Sequence, residues 1–169
     1  MPTMNDGSSN GSDLRVRRAT IDDVAQLVHQ RVSMYRDMGE LAATMVTQFT
    51  HAAALYFRTA IAAGEYIAWL AIAPAPSAEI VAGAGLIVRP MIPRPAPDGS
   101  IELREGTVVN VYTAPAWRRK GLGALVVKHV MEYARDHQIS RLSLHASDDG
   151  RPLYETLGFA PTNEMRLKR

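Results

Sequence analysis

The chain has no cysteine among its 169 residues, which excludes disulfides, a thiolate metal site and a cysteine nucleophile. A surplus of charge is missing too. Nineteen Lys and Arg stand against 17 Asp and Glu, a formal net charge of +2, too small to argue for a nucleic-acid partner. No apolar run approaches the length of a membrane span, and no charged-then-apolar leader opens the sequence. A cytoplasmic protein with no membrane and no nucleic-acid partner is therefore expected. The five histidines show no i, i+4 pair beside an acidic residue, so no metal site is expected. What is present is ordinary for a globular chain: 47% apolar and 21% charged residues, with length enough for one core. One domain is expected over residues 14–169. Met1–Asp13, MPTMNDGSSNGSD, is small, polar and glycine-rich, and is expected to be a flexible tail.

The most informative stretch is Val108–Lys128, VVNVYTAPAWRRKGLGALVVK. Val108–Tyr112 is β-branched and aromatic and reads as a buried strand. Thr113–Ala116 breaks it, Trp117-Arg118-Arg119-Lys120 makes a basic turn, and Gly121-Leu122-Gly123 opens an apolar helical segment. A strand feeding a glycine turn and then a helix gathers free backbone N–H groups at the positive end of the helix dipole, a site suited to polyphosphate. A P-loop is excluded by the glycine spacing and the missing Lys-Ser/Thr. A dinucleotide fingerprint is excluded by Val126, where a small residue is needed. The pattern that fits is R-x-x-G-x-G, with Arg118, Gly121 and Gly123, and Ala124 behind them. It resembles the coenzyme A pyrophosphate loop of the GNAT (GCN5-related N-acetyltransferase) family.

The rest of the chain reads as alternating elements. Leu14–Arg18 is a strand. Thr20 caps a helix running to about Asp37, and Met38-Gly39-Glu40 stops it. A second helix is expected over Ala43–Ala63. Tyr66–Ala73 and Glu79–Arg89 make a hairpin, in which Gly83 and Gly85 permit a bulge or a close backbone approach. Pro90–Ser100 holds four prolines and reads as a surface loop. A central strand begins between Ile101 and Gly106 and runs through Tyr112. Asn110 is a polar residue among valines and needs partners. A helix from Leu122 to Asp136 precedes a strand at Ile139–Ala146, whose His145 reads as structural. A short helix with Pro152 in its first turn follows, stopped by Gly158-Phe159, and Thr162–Leu167 is expected to close the sheet as a last strand.

Tyr154…Gly158-Phe159, Y-x-x-x-G-F, is similar to the final signature of the same family. The ending LHAS-x-x-GRPLYE-x-LGF-x-x-TNEM is similar to a bacterial subgroup whose substrate the residues do not name. The resemblance implies an α/β (α+β) fold with a mixed, mostly antiparallel central sheet flanked by helices, and acetyl-CoA (coenzyme A) bound where two central strands splay after a bulge. It implies that Tyr112 and Thr113 meet the pantetheine arm through main chain. Gly121, Leu122, Gly123 and Ala124 would face the pyrophosphate, with Arg118, Arg119 and Lys120 adding charge. Tyr154 would protonate the leaving thiolate. No general base is singled out: Glu102 and Glu105 are the available carboxylates, and Asn110 can orient water or substrate. Arg31, Met34 and Tyr35 would touch the acceptor. The implied reaction is direct transfer of acetyl to a primary amine of a small-molecule or amino-acid-like acceptor. A protein N-terminus or lysine, or a non-catalytic coenzyme A binder, stays open as an alternative, and a homodimer is a further expectation.

Overall fold

The computed structural model describes residues 14–167. The expected flexible tail, Met1–Asp13, lies outside the described residues. The first strand, β1 (Arg15–Arg18), leads into a capped turn. The Thr20 hydroxyl accepts from the Asp22 N–H at 3.3 Å, and the Asp23 carboxylate accepts from the Thr20 N–H at 2.8 Å. Both groups satisfy donors that a helix start leaves open. After a single 3₁₀ turn (Ile21–Asp23) comes α1 (Val24–Asp37), and after another (Ala43–Met45) comes α2 (Val46–Ala62).

The next strand, β2 (Tyr66–Ile72), is buried along nearly its whole length. Its alternate residues serve two cores. Tyr66, Ala68 and Leu70 pack with Leu27 and Val28 of α1 and Ala53 and Phe57 of α2. Ile67, Trp69 and Ala71 pack with Val126, Val127 and Val130 of α3 (Leu122–Asp136). A strand covered on both faces reads as an unbroken apolar run, which YIAWLAI is. The remaining elements are β3 (Ile80–Pro95), β4 (Ile101–Thr113), β5 (Arg141–Leu144) and α4 (Arg151–Thr156). The sheet order is β1-β2-β3-β4-β5. Every neighbouring pair is antiparallel except β4–β5, which is parallel because α3 carries the chain back across the sheet between them.

Three expectations are corrected. Pro90–Pro95 is not loop but the outer half of β3, with Pro90 opposite Arg104 and Pro95 opposite Ile101. β2 pairs with β3 only as far as Ile87. Beyond that point β3 has one ladder neighbour, so its open side tolerates a residue with no N–H. β5 stops at Leu144 rather than Ala146, leaving the exposed His145 just beyond it. Thr162–Leu167 forms no strand. Its two apolar side chains, Met165 and Leu167, are 94% and 87% exposed, so no buried face fixes a register for it.

Candidate active site

The site starts from an extra residue in β4. Gly83 pairs with Tyr112 and Gly85 with Val109, so Asn110 and Val111 together oppose Ala84. This is a β-bulge, and Asn110 takes the left-handed conformation, φ +54°. The β4–β5 ladder ends at Val108↔Leu144, while β4 itself continues to Thr113. From the bulge onward the edge of β4 that faced β5 has no strand beside it among the described residues. Tyr112 and Thr113 lie on this stretch, a strand edge of the kind an extended ligand can pair with, although the Thr113 carbonyl also accepts from Arg118.

The glycine turn follows directly. Gly121 precedes α3 at φ +80°, and no side chain caps the helix. The Leu125 N–H makes the 3.0 Å bond to the Gly121 carbonyl, so the N–H groups of Leu122, Gly123 and Ala124 are left at the open helix end. Gly123 permits a close approach: a Cβ there would come within 3.1 Å of Leu153 Cδ2, so the start of α3 sits against α4. Arg118 lies along the surface and touches two other elements. Its Nε donates to the Thr113 carbonyl at 3.0 Å, its Nη2 pairs with Asp37 at the end of α1, and its guanidinium lies 5.9 Å from the Tyr112 ring centre. The Lys120 ammonium is 4.9 Å from the Trp117 ring centre, and the Trp117 indole donates to Glu79 at 3.1 Å. Arg119 and Lys120 are exposed and, unlike Arg118, form no ion pair among the described residues.

Tyr154 is half-buried on α4, edge-on to Phe159 at 6.1 Å. Gly150 makes room for its ring, since a Cβ there would lie 3.2 Å from Tyr154 Cε2. Burial raises the phenol above the usual tyrosine range, because ionising it in a poorly solvated place costs free energy. The group stays protonated at neutral pH and can donate. A cavity of about 710 Å³ runs beside it, from the end of β5 to residues 159–166. That cavity contains Tyr154 but none of the residues of the Arg118–Ala124 turn.

A second cavity, about 360 Å³, lies on the α1–α2 side of the sheet and is lined by Arg31, Tyr56, Tyr66, Ile87, Arg89 and Val109, among others. Val109 adjoins the bulge. Arg31 and Tyr35 share one face of α1, with Arg31 Nη2 3.4 Å from the Tyr35 hydroxyl and the Tyr35 ring 5.3 Å from that of Phe49. Phe49 also lines this cavity, whereas Met34 does not. Glu105 is on the same face of β4 as Val109 but four residues away, about 13 Å along the strand, with its carboxylate 3.9 Å from Arg141. Glu102 is farther out on the hairpin, accepting from Ser140 at 2.5 Å.

Gln30 and Tyr66, to which the sequence drew no attention, join the expected Asn110 beside the bulge. Gln30 and Asn110 are 1% and 4% exposed. The Gln30 amide, the Tyr66 hydroxyl and the Asn110 Oδ1 are buried without hydrogen-bond partners among the described residues, though the Asn110 Nδ2 donates to the Leu27 carbonyl at 3.4 Å. Burial pushes the Tyr66 hydroxyl well above the usual tyrosine range, with Arg31 and the approaching Asn110 amide pulling the other way. Gln30 lies over Gly83 and Tyr66 over Gly85, where any Cβ would collide with them. Two signals were visible in the sequence: a glutamine three residues after Leu27 on an apolar helix face, and glycines spaced by two in a strand.

A model of the acetyltransferase (GNAT) family matches residues 27–159. The glucosamine 6-phosphate N-acetyltransferase of Trypanosoma brucei brucei is 31% identical over 93 residues, 54% of this chain. The match spans 59% of that relative's length. A GCN5-related N-acetyltransferase from Ralstonia eutropha JMP134 superposes with a TM-score of 0.80 at 26% identity, over 92% of this chain and 98% of its own. A predicted acetyltransferase from Clostridium acetobutylicum, solved with acetyl-CoA, gives 0.76 at 25% identity over 92% and 96%.

Proposed function

Because the chain belongs to the acetyltransferase (GNAT) family, we propose that it transfers acetyl from acetyl-CoA to a primary amine of a small-molecule or amino-acid-like acceptor. The observation that carries this reading is the adjacency of two openings. The unpaired edge of β4 beyond Val108↔Leu144 leads to the uncapped start of α3 at Gly121. An extended thioester arm suits the first, and a pyrophosphate suits the second. The Clostridium acetobutylicum relative bound to acetyl-CoA and the T. brucei relative named for an amino-sugar phosphate support the same cofactor and acceptor class.

The thioester supplies an electrophilic acetyl carbon: the amine nitrogen bonds to it, the carbon–sulfur bond breaks, and sulfur departs as a thiolate. The N–H groups of Leu122, Gly123 and Ala124 hold the pyrophosphate, with Arg119 and Lys120 adding charge from the rim. Arg118 holds the turn against β4 and α1. Tyr154, protonated at neutral pH, gives its hydroxyl hydrogen to the departing sulfur. The attacking nitrogen must shed a proton. Gln30, Tyr66 and Asn110 provide buried polar atoms able to hold water beside the bulge, and such water takes the proton first. Glu105, about 13 Å away along the same face of β4, is the carboxylate toward which further water would relay it.

Melting with and without acetyl-CoA tests the reading, with ATP and NAD as controls. At 100 times its dissociation constant a ligand adds about 2.7 kcal/mol, enough to raise the Tm of a domain this size by several degrees. A rise with acetyl-CoA alone, followed by thiol release on adding a primary amine, is expected. No rise at millimolar acetyl-CoA would overturn the assignment.

A further inference from the structure

Arg31 on α1 and Arg89 on β3 line the same 360 Å³ cavity. Neither has a carboxylate partner among the described residues. The polar contact of Arg31 is the Tyr35 hydroxyl at 3.4 Å, and its guanidinium lies 5.1 Å from that ring centre. Arg89 stands opposite Glu105 in the β3–β4 ladder, yet the ion pair Glu105 makes is with Arg141 on β5, at 3.9 Å. No Asp or Glu lines the cavity, whose remaining walls are aromatic and aliphatic.

The half-buried Arg31 and the exposed Arg89 put two positive charges on the wall of one cavity with no carboxylate beside them among the described residues, an arrangement that an anion entering the cavity would neutralise. Their planar guanidinium forks match the paired oxygens of a carboxylate or a phosphate. Val109 adjoins the bulge and brings the cavity toward the proposed thioester path. Arg31 stands near enough to the buried Tyr66 hydroxyl to oppose the effect of burial on it, so the cavity carries positive charge on its walls and reaches the bulge at Val109.

We propose that the acceptor is an amine carrying an anionic group, a carboxylate or a phosphate, which Arg31 and Arg89 grip while its nitrogen lies toward Val109. The amine half of this rests on the acetyltransferase reading, and the anion half rests on the two arginines alone.

The test is thiol release from acetyl-CoA with matched acceptors: phosphoethanolamine against ethanolamine, and alanine against alaninamide. Because the chain has no cysteine, a thiol reagent reads product only. In at least one pair the anionic member should show kcat/KM about tenfold or more above its neutral match, a worth of ~1.4 kcal/mol. Which pair responds separates phosphate from carboxylate. Arg89→Glu should bring that ratio down to one or below. Arg31→Lys, which keeps the charge and loses the fork, should lower it several-fold. A ratio near one in the parent protein for both pairs overturns the proposal. If no amine is acetylated, the acetyltransferase reading falls, and calorimetric titration of phosphoethanolamine and of alanine into the protein decides the anion separately. Binding lost in Arg89→Glu supports the clamp, and no binding by the parent overturns it.

Discussion

Arg118 and Asp37 form an ion pair that ties the glycine turn to the last residue of α1, while the Arg118 Nε donates to the Thr113 carbonyl at 3.0 Å. The sequence reading has Arg118 as a charge offered to pyrophosphate. In the structure it braces the turn against two other elements.

The brace has separable consequences. Both partners are more than two-fifths exposed, so the pair contributes about 0–1 kcal/mol to stability. Arg118→Met should therefore shift Tm by only a few degrees, while acetyl-CoA affinity measured by calorimetry falls about tenfold. Asp37→Asn, which leaves the guanidinium charge in place, should reproduce part of that loss. Parent-like affinity in Asp37→Asn would mean that Arg118 acts by charge and not by position.

Tyr154→Phe should lower turnover about tenfold or more with acetyl-CoA affinity held within about twofold. Equal turnover would remove the phenol from the mechanism. The pH dependence has a definite sign. Burial raises the Tyr154 hydroxyl above its usual value, so the donating form persists across neutral pH, and loss of activity from this group sets in only above about pH 10. Stability behaves alike. The folded state holds this proton more firmly than the unfolded chain, so the contribution of this group to stability is constant below about pH 10 and is lost as pH rises through the raised value.

The Tyr66 hydroxyl has no hydrogen-bond partner among the described residues although Tyr66 is 2% exposed. Removing it should cost little stability: Tyr66→Phe is expected to unfold within about 1 kcal/mol of the parent, because no protein–protein hydrogen bond is broken. Its kcat/KM for the acceptor should nevertheless drop, because a polar contact beside the bulge is lost. Gly85→Ala is the converse. Its Cβ would drive into the Tyr66 ring, and overpacking of this kind costs about 1–3 kcal/mol, readable by urea unfolding.

Asp23 accepts two 2.7 Å hydrogen bonds from the Arg17 guanidinium as well as the Thr20 N–H. The Arg17 hydrogen bonds lead in holding its carboxyl below the usual range, against a smaller opposing cost of burial. That contribution is complete above about pH 4 and is lost as pH falls through the lowered value. Asp23→Asn should cost about 1 kcal/mol at neutral pH and less at pH 3, as followed by thermal melting in both buffers. An equal cost at the two pH values would show that charge is not what the pair contributes.

Local chemistry determined what the sequence alone could tell. Thr20 with Asp23 declares a helix start, YIAWLAI a strand covered on both faces, and Arg118-x-x-Gly121-x-Gly123 a turn that leaves N–H groups open before a helix. Each depends on residues within a few positions of one another, so the elements, their order and the family are legible without a structure. Pairing over distance is not. Whether Pro90–Pro95 is strand or loop depends on where β2 stops beside it, and whether Thr162–Leu167 joins the sheet depends on a buried face that it does not find. The cavity between α1, α2 and the sheet is the extreme case. Arg31, Tyr66 and Arg89 line it from α1, β2 and β3, with Asn110 of β4 close by. Which of their polar groups stand without a protein partner depends on how packing brings these elements to one place. Desolvation and cross-strand register are properties of the folded chain, which is why Tyr66 and Arg89 drew no notice as residues in a row.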